Sequence, residues 1–92
     1  MLGASTTIGA LEVFVYPNPA TNSVNIQLPD YLDTENVIAY LHNSLGQSLA
    51  YKKLEGNLTA VFNVQNLANE IYLITIVDNG NTISVQKVII NH

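Results

Sequence analysis

Val15-Tyr16-Pro17-Asn18-Pro19-Ala20-Thr21-Asn22, followed by the alternating run Ser23-Val24-Asn25-Ile26-Gln27-Leu28, decides how this chain folds. Two prolines one residue apart each hold φ near about −65° and remove a backbone donor. They also push Tyr16 and Asn18 out of the helical region. A helix cannot cross this point, whereas a rigid turn between two strands can. Asn18, Thr21 and Asn22 have side chains suited to bonding the backbone groups that such a turn frees.

On the N-terminal side, Leu11 to Tyr16 is rich in β-branched and aromatic residues and stops at Pro17, as a strand should. On the C-terminal side, Val24, Ile26 and Leu28 alternate with Ser23, Asn25 and Gln27, the pattern of a half-buried strand. Val37 to His42 is a denser apolar run, followed by the turn residues Asn43-Ser44-Leu45-Gly46-Gln47 and a further strand from Ser48 to Leu54. Glu55-Gly56-Asn57 is another turn, and Thr59 to Val64 another short strand. Gln65 to Glu70 is polar around Leu67, a residue placed to plug the end of a sandwich. Ile71 to Val77, the most apolar run, is expected at the centre of a sheet.

Asp78-Asn79-Gly80-Asn81 carries the Asn-Gly pair of a type I′ hairpin, which makes Ile83 to Ile90 the antiparallel neighbour of the preceding strand. In that last strand Ile83, Val85, Lys87 and Ile89 share one face and Ser84, Gln86, Val88 and Ile90 the other. Seven short strands with regular turn signals and no helical periodicity predict an all-β fold, an immunoglobulin-like antiparallel β-sandwich. A small barrel is the alternative.

Ninety-two residues suit one domain. Residues 1–10 are small and polar with Gly3 and Gly9, so they read as a linker, leaving residues 11–92 as the folded unit. The chain is 48% hydrophobic but only 11% charged, so its surface must be built largely from Asn, Gln, Ser and Thr. With Lys52, Lys53 and Lys87 as its only cations and a formal charge of −4, it has no basic patch to neutralise a row of phosphates, which argues against nucleic acid. Without cysteine there is neither a disulfide framework nor a thiolate site. The first residues lack the basic and apolar segments of a signal peptide, so export requires that this chain be a piece of a longer precursor.

Catalytic chemistry finds little to use. His42 is the only interior base candidate, no Gly-x-Ser-x-Gly is present, and the carboxylates read as solvated charges. Asp30, Asp33 and Glu35 offer oxygen donors for calcium, yet their loop lacks the glycine and spacing of a calcium loop. It reads as an acidic surface loop. Asn57-Leu58-Thr59 matches the N-glycosylation triplet, a pattern too short to carry weight. The expectation is no enzyme, no cofactor and no metal.

The order of several motifs adds what periodicity cannot. Tyr16-Pro17-Asn18-Pro19 before an alternating strand, Asn43 to Gln47 at mid-chain, Val64-Gln65-Asn66-Leu67 leading into Ile71-Tyr72-Leu73-Ile74, and Val85-Gln86-Lys87-Val88-Ile89 near the C-terminus resemble the C-terminal sorting domain of the type IX (Por) secretion system of Bacteroidetes. The resemblance spans residues 13 to 90. Two positions depart from it: Glu70 stands where the family has a glycine two residues before the tyrosine, and Asn43 replaces an aspartate.

The resemblance implies an address label for an N-terminal cargo. The cargo would reach the periplasm on its own signal peptide, and shuttle proteins and the outer-membrane translocon would then recognise the folded domain. At the cell surface a sortase-like peptidase would remove the domain or exchange it for an anchor, cutting in the linker before Leu11. The residues it singles out for recognition are Tyr16, Pro17, Asn18, Pro19, Gly46, Leu67, Tyr72, Lys87, Val88 and Ile89. Such recognition needs a rigid surface displayed by turns and a sheet edge that pairs with a receptor strand.

Two rivals belong to other classes. An accessory carbohydrate- or protein-binding module would present a row of exposed aromatics, whereas the five tyrosines are scattered along the sequence. A self-associating adhesin or pilin-like subunit would exchange strands through the apolar C-terminus.

Overall fold

The strict alternation after the proline corner is realised as a strand whose inner residues Val24 and Ile26 are fully buried. The computed structural model describes residues 11–92, and the linker expected at 1–10 lies outside the described residues. Seven strands follow one another: β1 (Phe14–Tyr16), β2 (Ser23–Gln27), β3 (Val37–His42), β4 (Ser48–Lys53), β5 (Thr59–Asn63), β6 (Ile71–Asp78) and β7 (Asn81–Ile89). They form a three-stranded sheet in the order β1-β2-β5 and a four-stranded sheet in the order β4-β3-β6-β7, with every pairing antiparallel. In immunoglobulin constant domains the fourth strand joins the first, second and fifth. Here it pairs with the third.

β1 is shorter than the apolar run from Leu11 predicts. Its partner β2 ends at Gln27, and Leu28 donates instead to the Leu58 carbonyl at 2.8 Å, so the ladder has nothing opposite Val13. Leu11 and Val13 still pack against the core through their side chains. β7 differs in the other direction. The Asn79-Gly80 turn, with φ of 52° and 87°, extends the ladder to Asn81 opposite Asp78. A bulge at Ile76/Val77 then breaks the simple alternation: Ile83 packs against the core, while Val85 on the same sequence parity stays exposed.

The core lies between the sheets. Ile26, Leu28, Phe62 and Val64 from one side meet Val37, Leu41, Ile74 and Ile76 from the other. As their apolar runs predict, β3 and β6 are the interior strands of the larger sheet. Edge strand β4 carries Lys52 in the inward register opposite Ala39, an inward-pointing charge of the kind that discourages edge-to-edge aggregation. Thr34 is the one buried polar residue among those described, and its hydroxyl donates to the Asn57 carbonyl at 2.6 Å. That bond ties the β2–β3 loop to the β4–β5 turn.

Phe62 is the largest fully buried side chain. Phe62→Ala is expected to cost about 3–5 kcal/mol, a large part of the roughly 5–15 kcal/mol typical of a domain, measured as a lower urea midpoint without a change in slope.

Candidate functional site

The proline corner sits beside the end of β7. Both Tyr16-Pro17 and Asn18-Pro19 are cis. Between the two rings, the Asn18 side chain reaches the outer edge of β7: its Oδ1 accepts from the Ile89 N–H at 3.0 Å and its Nδ2 donates to the Lys87 carbonyl at 3.2 Å. One amide side chain thereby does what a neighbouring strand would do. Beyond Pro19, Ala20 continues as a strand would, pairing in parallel with Ile90. The Ala20 N–H donates to the Ile89 carbonyl and the Asn91 N–H to the Ala20 carbonyl, both at 2.8 Å. The Thr21 hydroxyl donates to the Asn91 carbonyl at 3.1 Å.

A second corner closes on the other side of the same strand end. Leu67, half-buried against the core, plugs this end of the sandwich. Its carbonyl lies 2.8 Å from His92 Nε2, which must donate, because a carbonyl oxygen only accepts. The Ile90 N–H donates to the Glu70 carbonyl at 2.9 Å, and the His92 N–H to Asn69 Oδ1 at 2.9 Å. Buried Tyr72 sends its hydroxyl back to the Ala68 carbonyl at 2.7 Å. A tyrosine early in the sixth strand, bonded a few residues upstream, is the tyrosine corner of immunoglobulin-like sandwiches. Glu70 is not among the residues with positive φ, so the corner closes without the glycine geometry its position suggests.

Burial pushes the Tyr72 hydroxyl pKa up, and the nearby Glu70 charge adds to the effect, against the opposing influence of the Ala68 hydrogen bond. The fold therefore favours the neutral phenol. This contribution is complete below the usual tyrosine value of about 10 and is lost as pH rises through the higher folded-state value.

Tyr16, Pro17, Asn18, Pro19, Leu67, Tyr72, Lys87, Val88 and Ile89 thus gather at one pole of the sandwich, in two different roles. Tyr72 and Val88 are buried and hold shape, whereas Tyr16, Pro17, Pro19, Lys87 and Ile89 are exposed. Gly46 lies at the same pole by register, since His42 at the end of β3 faces Leu73, which in turn faces Lys87. Its φ of 85° suits glycine, and its turn displays Leu45 at 82% exposure. Asn43 organises that turn: its Oδ1 accepts from the Leu45 and Gln47 N–H groups at 3.0 and 2.9 Å, and its Nδ2 donates to Gln47 Oε1 at 2.7 Å. An asparagine therefore does all that a carboxylate acceptor would do here, and donates one bond more.

At the end of β7 the Lys87 carbonyl and the N–H and carbonyl groups of Ile89 and Asn91 are engaged by Asn18, Ala20 and Thr21. The end of the last strand presents side chains, not a free edge.

Glu12, Asp30, Asp33, Glu35, Glu55 and Asp78, six of the seven acidic residues, belong to the opposite pole, where Leu11 enters the fold. An open depression of about 420 Å³ lies there, lined by Glu35, Lys53, Glu55 and Asn79 among others. Asp33 Oδ1 accepts from the Glu35 N–H at 3.0 Å, which caps its own turn. Among the described residues no group of three His, Asp or Glu side chains is placed to hold a metal ion.

The tyrosines are less scattered than the sequence suggests. Tyr40 stacks on His42 with ring centroids 5.9 Å apart and meets Tyr51 at 6.2 Å, forming a row across β3 and β4. His42 Nδ1 has no hydrogen-bond partner among the described residues, and nothing nearby makes it a catalytic base. Sequence reasoning missed this row because it depends on the cross-strand register Tyr40↔Tyr51.

The model of a secretion system C-terminal sorting domain matches residues 14–91, nearly the whole described chain. The chain belongs to this family. The matched segment starts with the first strand of the sandwich and ends at Asn91, whose N–H completes the clamp. A sorting domain of this kind is the secretion signal of the type IX system, and the protein that carries it is secreted or placed on the cell surface. The family is one of sorting signals and not of catalysts, and its domains work with the type IX machinery on behalf of an N-terminal cargo. The comparison with curated proteins gave no match.

Two outcomes test this geometry. Asn18→Ala removes both side-chain bonds to β7 and is expected to cost about 1–3 kcal/mol, with faster hydrogen exchange at the Ile89 N–H. Tyr72→Phe is expected to cost about 1 kcal/mol at neutral pH and to flatten the fall in stability seen above pH of about 10 in the unchanged chain, as read from thermal melts across alkaline pH.

Proposed function

We propose that the pole holding the clamp is the surface by which the type IX machinery recognises this domain. The observation that supports it is the joining of the Tyr16–Pro19 corner, the Leu67–Tyr72 corner and the Lys87–Ile89 strand end into one rigid unit. Asn18, Tyr72 and Val88 fix its shape. Tyr16, Pro17, Pro19, Lys87 and Ile89, with the Gly46 turn beside them, are what a partner touches. Shuttle proteins and the outer-membrane translocon are the partners in this reading, met in the periplasm by the folded domain.

The cargo leaves from the other pole. Residues 1–10 are the linker in this reading, and a sortase-like surface peptidase cuts there to remove the domain or exchange it for an anchor. Separation of the cargo attachment from the recognition pole keeps a bulky cargo away from the translocon contact. The domain itself performs no catalysis and holds no cofactor or metal.

The test is a fusion of residues 1–92 behind a signal peptide and a reporter, expressed in a type IX-competent bacterium and in a mutant lacking the translocon. Surface reporter is expected in the competent strain alone, and removal of Lys87 to His92 is expected to abolish it. A folded fusion held in the periplasm of both strains would overturn the reading and favour an accessory binding module.

A further inference from the structure

The central strands of the two sheets differ in their outward residues. On β2 of the three-stranded sheet they are the polar Ser23, Asn25 and Gln27, flanked by exposed Phe14 and Tyr16 on β1 and Val61 on β5. On β6 of the four-stranded sheet they are Ile71, Leu73, Thr75 and Val77. The neighbours continue the pattern. Ile71 pairs with Ile89, Thr75 with Val85, and Tyr40 with Tyr51, and of these Ile71, Tyr51, Val85 and Ile89 are 46%, 58%, 54% and 40% exposed. Contiguous exposed apolar surface of this kind marks an interaction site, and tyrosine is enriched at the centre of such sites.

Charge specifies the occupant. The face carries Lys53 on β4 and Lys87 on β7 and no carboxylate in its outward register, although the chain holds seven acidic residues against three lysines. We infer that the outer face of the four-stranded sheet docks a protein partner whose contact surface is apolar at its centre and bordered by carboxylates. The inference rests on the sorting reading and extends it: the partner grips this broad face as well as the clamp pole. Lys53 and Lys87 sit at opposite ends of the face, so they orient the partner while the apolar rows supply contact area.

The experiment uses the same reporter fusion in the competent strain with exposed-residue variants, each checked for an unchanged thermal midpoint in purified form. Tyr51→Ser combined with Val85→Ser is expected to lower surface reporter by about tenfold or more, as loss of central anchors does. Lys53→Glu, which leaves the core untouched, is expected to lower it as well. Val61→Ser, on the outer face of the other sheet, is expected to export normally.

Normal export of the Tyr51/Val85 and Lys53 variants, with export still abolished by removal of Lys87 to His92, would overturn the inference and leave the sorting reading standing. Failure of the unchanged fusion to reach the surface would overturn both. Two further outcomes would assign the face to another occupant. One is a dimer of the purified domain, seen by sedimentation, that the Tyr51/Val85 variant dissolves. The other is flotation of the domain with phosphatidylethanolamine–phosphatidylglycerol vesicles, lost in the same variant.

Discussion

The bond pair between the Asn18 side chain and β7 joins residues 69 and 71 positions apart, and the rest of the clamp is built on it. Asn18 can serve in this way because a proline lies on each side of it. The rings restrict the backbone to a narrow path, so the amide is already aimed before it bonds. Once it holds the outer edge of β7, Ala20 is in place to pair with Ile90, and the second corner completes the strand end from the inside through Glu70. The exposed ring and ammonium groups at this pole are displayed on backbone that is bonded from both sides.

The arrangement also answers a general difficulty of small sandwiches. An edge strand offers unpaired backbone groups to any passing chain, and β7 is such an edge. Closing its last part with a side chain and a short parallel bridge makes that end unavailable for indiscriminate pairing, yet leaves the side chains of Lys87 and Ile89 readable. The opposite edge, β4, is protected by different means, through Lys52 in the inward register. One domain thus uses two separate devices on the two edges of a single sheet.

Much of this was legible in the sequence. The seven strands, the Asn79-Gly80 hairpin and the central places of β3 and β6 follow from alternation, turn chemistry and apolar density, which are local properties. The corner at Pro17 and Pro19 was equally plain as a turn. Its partner was not, because nothing near Asn18 in the sequence points to Lys87 and Ile89; that contact is made by the fold. The Tyr40–Tyr51 row and the inward turn of Ile83 were hidden for the same reason, since register and a bulge on the facing strand decide them. Motif order carried the family, and geometry alone divided its residues into those that hold shape and those that are displayed.

Because the clamp is assembled from both ends of the folded unit, it can form only after β7 has joined the sandwich. A chain cut short before that strand keeps its proline corner but has nothing for Asn18 and Ala20 to hold, and Tyr72 loses the neighbour that covers its strand. Contacts of such long sequence separation also form late, since the whole intervening loop must be closed before they are made. The pole is therefore complete only when the whole domain has been synthesised and folded, and a fragment that ends before β7 does not display it.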